Sequence, residues 1–272
     1  MSYWRGKRAV VTGGSAGLGR ALAKVLVQHG GRVVIVARRQ SMLDDAAQEF
    51  KAFGGDVLTV TADVTRQEDV DRLAATVNSA WGGLDFFCHC AGRSMRGTVL
   101  TTSPDDFQSL WNTNFLSAVR CVQAFAKSIT ASHGHVVLIG SLASKVAAGY
   151  LGAYPASKFP LGALAQQLRI ESESSGLHTL LVCPGPIARD DAHAAGARYA
   201  DQATEVPAAA QQPGGGAKVR AIDPQWLAEK ILWACERRRA ELVVPWQSRL
   251  LFAAMQISPR LGDWVLRRVT SG

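Results

Sequence analysis

Short apolar runs rich in β-branched residues recur along the chain and alternate with longer segments of helical periodicity. RVVIVA (Arg32 to Ala37), VVLI (Val136 to Ile139) and TLLVC (Thr179 to Cys183) are almost continuously apolar. A strand that is covered by helices on both faces needs apolar side chains on both sides. This alternation therefore predicts an α/β fold with a doubly wound parallel sheet and helices on both faces.

About seven strands are expected in this Rossmann-type sheet. The predicted strands are Arg8–Thr12, Arg32–Ala37, Val57–Ala62, Leu84–Cys90, Val136–Ile139, Thr179–Cys183 and Glu241–Val244. The helical patterns run approximately from Leu18 to Gln28, Arg66 to Trp81, Asp105 to Ser132, Tyr154 to Ser174 and Pro224 to Arg238, and a further helix rich in Asp, Ala and Gln follows the second strand.

Composition and length favour one domain. The chain has 272 residues, of which 47% are hydrophobic and 19% charged, enough apolar material for a large core. Residues 1–245 are predicted to form a single catalytic domain. Within it, residues 188–221 are rich in Ala, Gly, Gln and Pro, so this segment is interpreted either as a substrate lid or as an insertion without function. Residues 246–272 form an apolar and basic tail.

The charge and cysteine content indicate the compartment and the partners. A formal net charge of +8 favours phosphorylated cofactors, polyanions or anionic membranes, but no nucleic-acid motif accompanies it. We therefore expect no nucleic-acid partner. Five cysteines without a disulfide spacing indicate reduced thiols, and with no apolar leader or membrane-length run we expect a cytoplasmic protein. Cys88-His89-Cys90 lies in a strand, where side chains alternate between faces, so no metal site is expected.

A glycine-rich turn, Gly13-Gly14-Ser15-Ala16-Gly17-Leu18-Gly19, separates the first strand from the first helix. Glycine permits a tight turn and lets the backbone approach a pyrophosphate, while the helix N-terminus offers free N–H groups. In this strand-to-helix setting the turn predicts a nucleotide site.

The second strand ends in Arg38-Arg39, where dinucleotide folds that take NAD usually place an acidic residue. A guanidinium can hold a 2′-phosphate, which an acidic side chain would repel. The pattern favours NADP(H), with NAD(H) as a second possibility, and Ser15 offers a further hydroxyl donor. The alternative is that both arginines are simply solvated.

Tyr154 and Lys158 are four residues apart in YPASK and share a helix face, and Ser141 lies 13 residues before Tyr154 at a strand end. A carbonyl reductase needs a proton donor beside the carbonyl oxygen. An ordinary tyrosine has a pKa of about 10, and a nearby ammonium favours its phenolate. A serine hydroxyl can hold the substrate oxygen in position.

Together these segments resemble the short-chain dehydrogenase/reductase family over about residues 7–245. The similarity rests on TGGSAGLG, Asp63-Val64 after the third strand, Ala91-Gly92, Asn114 in the long helix, Ser141, Tyr154-x-x-x-Lys158 and Pro184-Gly185. The resemblance implies an NAD(P)-dependent oxidoreductase that interconverts carbonyls and alcohols.

The resemblance also implies residue roles. Tyr154 would be the general acid in reduction and the base in oxidation, Lys158 would bind the nicotinamide ribose and lower the pKa of Tyr154, and Ser141 would orient the substrate oxygen. Asn114 would hold a water that connects Lys158 to solvent. The implied cofactor-binding residues are Gly13, Ser15, Gly17, Leu18, Gly19, Arg38, Arg39, Asp63, Val64, Ala91, Gly92, Tyr154, Lys158, Pro184, Gly185 and Ile187.

Three features depart from the family pattern. His89-Cys90-Ala91-Gly92 stands where Asn-Asn-Ala-Gly is usual, and a cysteine cannot make the amide hydrogen bonds of that Asn. Arg189 lies near a position where the family often has Thr, and it either points outward or reaches a phosphate or an acidic substrate. The C-terminal end is more similar to the lipid- and steroid-active branches, including 3-ketosphinganine reductase-like proteins, than to soluble ketoacyl reductases.

The tail and the partners leave alternatives open. The tail interleaves apolar residues with Arg249, Arg260, Arg267 and Arg268, so it is interpreted as a peripheral membrane segment, a subunit interface or a cover on its own domain. We expect an apolar carbonyl or alcohol substrate, and the resemblance implies a homodimer or homotetramer. The alternative functions are a catalytically silent nucleotide-binding regulator and a membrane-surface binding protein.

Overall fold

The computed structural model describes residues 2–188, 206–207 and 220–270. Seven strands form one sheet in the order β3-β2-β1-β4-β5-β6-β7, and every neighbouring pair is parallel. The strands are β1 Arg8–Thr12, β2 Arg32–Ala37, β3 Asp56–Thr61, β4 Phe86–His89, β5 His135–Ile139, β6 His178–Pro184 and β7 Glu241–Val244. The predicted Rossmann-type sheet is confirmed.

Helices cover both faces of the sheet. They are α1 Gly17–Gln28, α2 Gln40–Lys51, α3 Gln67–Trp81, α4 Pro104–Trp111, α5 Ser117–Ala131, α6 Tyr154–Glu171, α7 Pro224–Glu236, α8 Ser248–Ile257 and α9 Pro259–Thr270. One core cluster joins apolar side chains of α1, α2 and α7 to the sheet, and a second joins those of α3, α5 and α6. The strands are apolar on both sides because both of their faces are buried.

The topology determines where a ligand can bind. The chain order reverses between β1 and β4, which lie side by side, and the crevice at such a reversal is the usual ligand site of a parallel sheet. All strands are parallel, so the carboxyl ends of β1, β4, β5 and β6 meet at one edge. We call this the carboxyl edge and the opposite one the amino edge.

The long helix predicted over residues 105–132 is present, but it is not α-helical throughout. A five-residue π-helical turn, Asn112–Leu116, separates α4 from α5, with the Ser117 amide bonded to the Asn112 carbonyl five residues earlier. Wide turns of this kind occur mostly at functional sites, and this one contains Asn114. Side-chain periodicity alone does not distinguish a single π turn from continuous α-helix.

Two predicted segments have different outcomes. The predicted lid, residues 188–221, lies outside the described residues except at its ends and at residues 206–207; Ile187 before it pairs with Ile222 after it. The apolar tail forms α8 and α9, and Phe252 of α8 packs against the core. Among the described helices, none has the length and apolar character needed to cross a membrane.

The amino edge contains a chain of hydrogen-bonded rings. His178 Nε2 lies 2.8 Å from the Arg239 carbonyl oxygen and must donate to it. His178 Nδ1 therefore accepts from His135 Nδ1 at 2.8 Å, and His135 Nε2 accepts from the Tyr3 hydroxyl at 2.7 Å. Cys235 Sγ lies within 4.8 Å of a ring nitrogen of each histidine, but both nitrogens of each ring take part in this chain, so both imidazoles are satisfied by hydrogen bonds.

Candidate active site

The glycine turn between β1 and α1 has the shape of a phosphate cradle. Gly13 and Gly17 have φ angles of +68° and +51°, which favour glycine. A methyl group on Gly14 would lie 2.8 Å from Ile35 Cγ2, and one on Gly19 would collide with the Gly13 carbonyl. These glycines therefore let the backbone approach a bound pyrophosphate closely.

The start of α1 leaves its amide groups available. Its N-cap residue Ala16 provides no side-chain hydrogen bond, and no acidic residue lies in the first turn. The N–H groups and the positive end of the helix dipole therefore lie at the carboxyl edge, and the first turn of α1 holds no acidic side chain to neutralise them. Ser15 and Leu18, also predicted to bind cofactor, are buried in this turn. These residues fit a dinucleotide pyrophosphate.

The ends of β2 and β3 present the residues predicted for the adenosine half. Arg38 and Arg39 are exposed, and neither guanidinium forms an ion pair with any residue that the structure describes. Asp63 accepts hydrogen bonds from the amide and hydroxyl of Thr65 at 3.0 and 2.7 Å, which fixes its carboxylate. Val64 beside it is buried.

The end of β4 is held by Thr12 and His89 in place of the usual asparagine. Thr12 Oγ1 accepts from the amides of Cys90 and Ala91 at 3.1 and 3.2 Å. Its hydrogen lies toward His89 Nδ1 at 3.2 Å, and His89 Nε2 lies 3.0 Å from Ser117 Oγ. Burial lowers the pKa of His89 to about 3, so the ring is neutral. This chain ties β1 and β4 to the first turn of α5.

Asn114 in the π turn is buried and braced on two sides. Its Oδ1 accepts from the Arg93 amide at 2.8 Å, and its Nδ2 donates to the Arg93 carbonyl at 2.9 Å and to Ser157 Oγ at 2.8 Å. A methyl group on Gly92 would lie 2.9 Å from Asn114 Oδ1 and 3.5 Å from Lys158 Nζ. Asn114, Gly92 and Lys158 therefore line one small space behind the crevice.

Lys158 is a buried cation with one fixed hydrogen bond. Its Nζ donates to the Ile139 carbonyl at the end of β5 at 2.9 Å. Burial lowers its pKa to about 8, so the ammonium form still prevails at neutral pH. An ammonium has three donors, and the other two are available for a ribose or a water in the crevice.

Ser141 lies one residue beyond Gly140 at the end of β5 and begins a short 3₁₀ turn, Leu142–Ser144. Its Oγ accepts from the Ala143 amide at 3.1 Å, and its own amide donates to Ser144 Oγ at 3.1 Å. Because the oxygen is used as an acceptor, the hydroxyl proton is the group that remains to donate. No acceptor for it occurs among the residues with described positions.

Tyr154 is the first residue of α6, one turn before Lys158. Its partly buried ring packs beside a small apolar cluster of Met95, Leu110, Ala153 and Phe107. The Ile139 carbonyl at the end of β5 accepts from Lys158 Nζ, and Ser141 follows that strand end by two residues. The structure thus brings Ser141, Tyr154 and Lys158 to one end of the sheet.

The segment after β6 closes the crevice. The Gly185 amide donates to the Val244 carbonyl at the end of β7 at 2.7 Å, and Ile187 pairs with Ile222. Pro184, Gly185 and Ile187, predicted to bind the cofactor, therefore lie at the carboxyl edge. Arg189 lies outside the described residues.

Comparison with known proteins agrees with this geometry. The sequence profile of the short chain dehydrogenases matches residues 7–199. The chain belongs to the short-chain dehydrogenase/reductase family. As a member of that family it is an oxidoreductase that acts on carbonyl or alcohol groups with NAD(P).

Individual relatives of this short-chain dehydrogenase are distant. Ketoacyl reductase HetN of Nostoc sp. is 28% identical over 98% of this chain and 90% of its own length. L-Sorbose reductase of Gluconobacter frateurii, solved with NADPH and L-sorbose, is 26% identical with a TM-score of 0.77, over 88% of this chain and 95% of that one. A short chain dehydrogenase/reductase of Burkholderia phymatum, solved with NAD, is 23% identical with a TM-score of 0.83 over 96% of each chain and supports the fold.

Sequence reasoning missed several polar residues that support the site of this dehydrogenase. Thr12, His89 and Ser117 hold the end of β4, and Ser157 braces Asn114. The sequence predicts a strand position for His89, where the family usually has Asn, but no bonding partner for it. One signal was present: Thr12 directly precedes the glycine turn, and Ser157 lies inside YPASK. The contacts of His89 and Ser117 are separated by 28 residues and have no local signature.

Proposed function

We propose that the enzyme is an NADP(H)-dependent reductase of an apolar ketone or related carbonyl, with the reverse oxidation available to the same site. The observation that supports this most is the arrangement around the end of β5. There the buried ammonium of Lys158 donates to the Ile139 carbonyl, one helical turn from Tyr154, and the hydroxyl proton of Ser141 remains to donate.

Each residue then has a chemical task. The nicotinamide, when bound, supplies or accepts the hydride. Tyr154 gives its phenolic proton to the carbonyl oxygen as negative charge develops there, and takes it back in oxidation. Lys158 stabilises the resulting phenolate electrostatically, and its remaining N–H groups hold the ribose. Ser141 donates to the same substrate oxygen and keeps it beside Tyr154.

Asn114 is proposed to position Lys158 instead of acting on substrate. Three hydrogen bonds to Arg93 and Ser157 occupy most of its side-chain capacity. A water that relays a proton from solvent past Lys158 to the Tyr154 phenolate would lie in the space that Gly92, Asn114 and Lys158 share, which a larger residue at Gly92 would fill.

The preference for NADP(H) rests on Arg38 and Arg39 at the end of β2. The exposed guanidinium groups form no ion pair within the described chain. The similar L-sorbose reductase was solved with NADPH. A 2′-phosphate would complete a charge-assisted pair that the protein alone does not make.

The apolar substrate is inferred from what surrounds Tyr154. Its ring adjoins Met95, Leu110, Ala153 and Phe107, whose side chains are apolar. A ketoacyl reductase among the relatives acts on an acyl chain by name. The expected homodimer or homotetramer stays a prediction.

The test is thermal stabilisation by NADPH and by NADH, side by side. A ligand that binds only the native state raises the melting temperature according to its concentration over Kd. We expect a larger shift with NADPH, and Arg38→Ala should weaken NADPH binding about 10- to 100-fold while leaving NADH unchanged. Arg5→Ala, at an exposed arginine of the amino edge, is the matched control.

Two results would contradict the proposal. Equal shifts with both nucleotides in the wild type would remove the phosphate assignment. Binding of NADPH without turnover of any medium-chain ketone, under conditions in which a sugar ketone such as L-sorbose is reduced, would remove the apolar substrate.

A further inference from the structure

Helices α8 and α9 form a small unit at the end of the chain, which we call the C-terminal hairpin (Ser248–Thr270). A methyl group on Gly262 would lie 2.8 Å from Met255 Cα, so this glycine lets the two helices pack closely. The hairpin is attached to the domain at one end, where Phe252 packs on the core and Arg249 Nη2 lies 3.9 Å from a carboxylate oxygen of Glu241 in β7.

The hairpin buries little of its own apolar surface. No residue of α8 is buried. Of the 15 large hydrophobic side chains that are exposed in the described part of the chain, five lie between residues 246 and 264. They are Trp246 at 65%, two residues before the hairpin, and Leu250 at 67%, Ile257 at 81%, Leu261 at 45% and Trp264 at 48% within it. Exposed apolar side chains clustered in this way mark an interaction surface.

The exposed side chains are ordered along the helices. Leu250 and Ile257 are seven residues apart in α8, and Leu261 and Trp264 are three apart in α9, so each pair lies on one helix face. Each helix of the hairpin therefore packs one face against the other helix and carries an apolar stripe on its solvent-exposed face.

The same surface is strongly basic. Residues 248–270 contain Arg249, Arg260, Arg267 and Arg268 but only one acidic residue, Asp263. The guanidinium carbon of Arg268 lies 4.0 Å from the centroid of the Trp264 ring, so cationic and aromatic groups form one continuous surface. Arginine beside tryptophan on an amphipathic helix suits the boundary between lipid headgroups and acyl chains.

The position of the hairpin connects it to the site. It begins four residues after Val244, whose carbonyl accepts from the Gly185 amide directly after β6. The hairpin therefore leaves the sheet at the carboxyl edge, where Ser141, Tyr154 and Lys158 meet.

We propose that the C-terminal hairpin docks this protein peripherally on an anionic lipid bilayer, with Trp246, Leu250, Ile257, Leu261 and Trp264 at the level of the headgroups. A second copy of the chain is the less favourable occupant, because pairing two hairpins would bring eight arginines and only two aspartates together. Docking would place the carboxyl edge near the membrane. The proposal does not depend on the identity of the reaction.

The experiment is flotation of the full chain with two kinds of vesicle at low salt, one of phosphatidylcholine and one of equal parts phosphatidylcholine and phosphatidylglycerol. Wild type should float with the mixed vesicles, and binding should weaken as salt screens the arginines. Leu261→Ser with Trp264→Ser should reduce binding about tenfold. Arg267→Gln with Arg268→Gln should reduce it about fivefold for each arginine.

The matched control is Trp226→Ser in α7, which removes a tryptophan of equal exposure, 47%, outside the hairpin and should leave flotation unchanged. Thermal stabilisation by NADPH, recorded for every variant, reports whether the domain is intact. A failure of vesicle binding can thus be told apart from a failure of the cofactor assignment.

Three results would overturn the proposal. The first is wild type that stays unbound with mixed vesicles at low salt. The second is binding that depends on the arginines but not on Leu261 and Trp264, which would be adsorption by charge alone. The third is a lipid-free dimer, seen by sedimentation velocity, that Leu261→Ser with Trp264→Ser dissociates, since this would assign the surface to a second copy.

Discussion

At the amino edge of the sheet, the buried side chains of Asp85, His135 and His178 are hydrogen-bonded to neighbouring groups, with Thr179 Oγ1 unpaired within the described chain, whereas at the carboxyl edge several buried polar side chains present donors to a crevice. Asp85 at the amino edge accepts from the Arg8 amide at 2.9 Å and from Arg8 Nε at 2.7 Å, with Lys7 Nζ at 3.4 Å. Beside it, the Tyr3 hydroxyl donates to His135, and His135 donates to His178.

The carboxyl edge uses similar groups differently. Lys158 is as buried as His178 but makes a single described hydrogen bond, and the hydroxyl proton of Ser141 has no acceptor in the described chain. Arg38 has no ionic partner in the described chain either, whereas Arg8 and Lys7 at the amino edge both pair with Asp85. A buried donor without a complete set of partners costs stability. We infer that the amino edge stabilises the fold and that the carboxyl edge gives up stability to bind and react.

The largest expected effect comes from Tyr154→Phe, which removes the proposed proton donor. We expect kcat to fall about 10²- to 10⁴-fold, because general acid catalysis contributes that much, while NADPH binding and the melting temperature stay near wild type. Steady-state kinetics with a ketone and a thermal melt measure both. Tyr150→Phe, in the loop before α6, is the control. If Tyr154→Phe lowered the melting temperature and left kcat unchanged, Tyr154 would have a structural role like that of the amino-edge residues.

Asp85→Ala should show the opposite behaviour at the amino edge. The carboxylate is mostly buried, and its pKa is lowered by the hydrogen bonds and charges of Arg8 and Lys7, which outweigh the effect of burial in the other direction. Its removal leaves Arg8 without its partner and should cost about 3 kcal/mol in the free energy of unfolding. Urea unfolding measures this cost, and kcat and KM should be unchanged.

The control for Asp85 is Asp56→Ala. Asp56 pairs with Arg32 at 2.5 Å, but both side chains are more exposed, so its loss should cost at most about 1 kcal/mol. Equal destabilisation by the two substitutions would show that burial does not distinguish them.

His89 sharpens the comparison because it lies at the carboxyl edge yet has both ring nitrogens bonded. His89→Ala should lower the free energy of unfolding by about 2 kcal/mol, since it removes a buried ring together with its hydrogen bonds to Thr12 and Ser117. It should also raise KM for NADPH, because Thr12 and the π turn lose their link. His89→Asn should recover part of both. A change in stability with unaltered KM would mean that His89 does not position the site.

The smallest effect concerns acid stability. Burial lowers the pKa of His135 to about 3 and lowers the pKa of His178 as well. Both pKa values then lie below the unfolded value of about 6.5, so the unfolded chain binds more protons in acid. Stability is full above that value, and each histidine removes up to about 1.4 kcal/mol per pH unit as the pH falls below it.

Unfolding in urea at a series of pH values between neutral and mildly acidic measures this slope. His178→Gln should flatten it, and His29→Gln, at a partly exposed histidine near Glu229, should not. An unchanged slope in His178→Gln would locate the acid sensitivity elsewhere, for example at His89.

Much of the site was predictable because its signals are local. The pairing of Tyr154 with Lys158 depends on one helix, and the glycine turn depends on one strand-to-helix connection. The π turn at Asn114 and the chain from Thr12 through His89 to Ser117 were not predictable. Both depend on side chains that meet only after distant elements pack.

The sequence by itself determined the alternation of strands and helices, the parallel sheet and the candidate residues Ser141, Tyr154 and Lys158, because each is a pattern within one element or between neighbours in the chain. Only the tertiary structure decided which buried polar groups satisfy each other. Asp85 is paired with Arg8 across 77 residues, and His135 with His178 across 43, while Lys158 is left facing the crevice. Hydrogen bonding acts over about 3 Å, so partners of this kind are chosen by packing and not by sequence spacing.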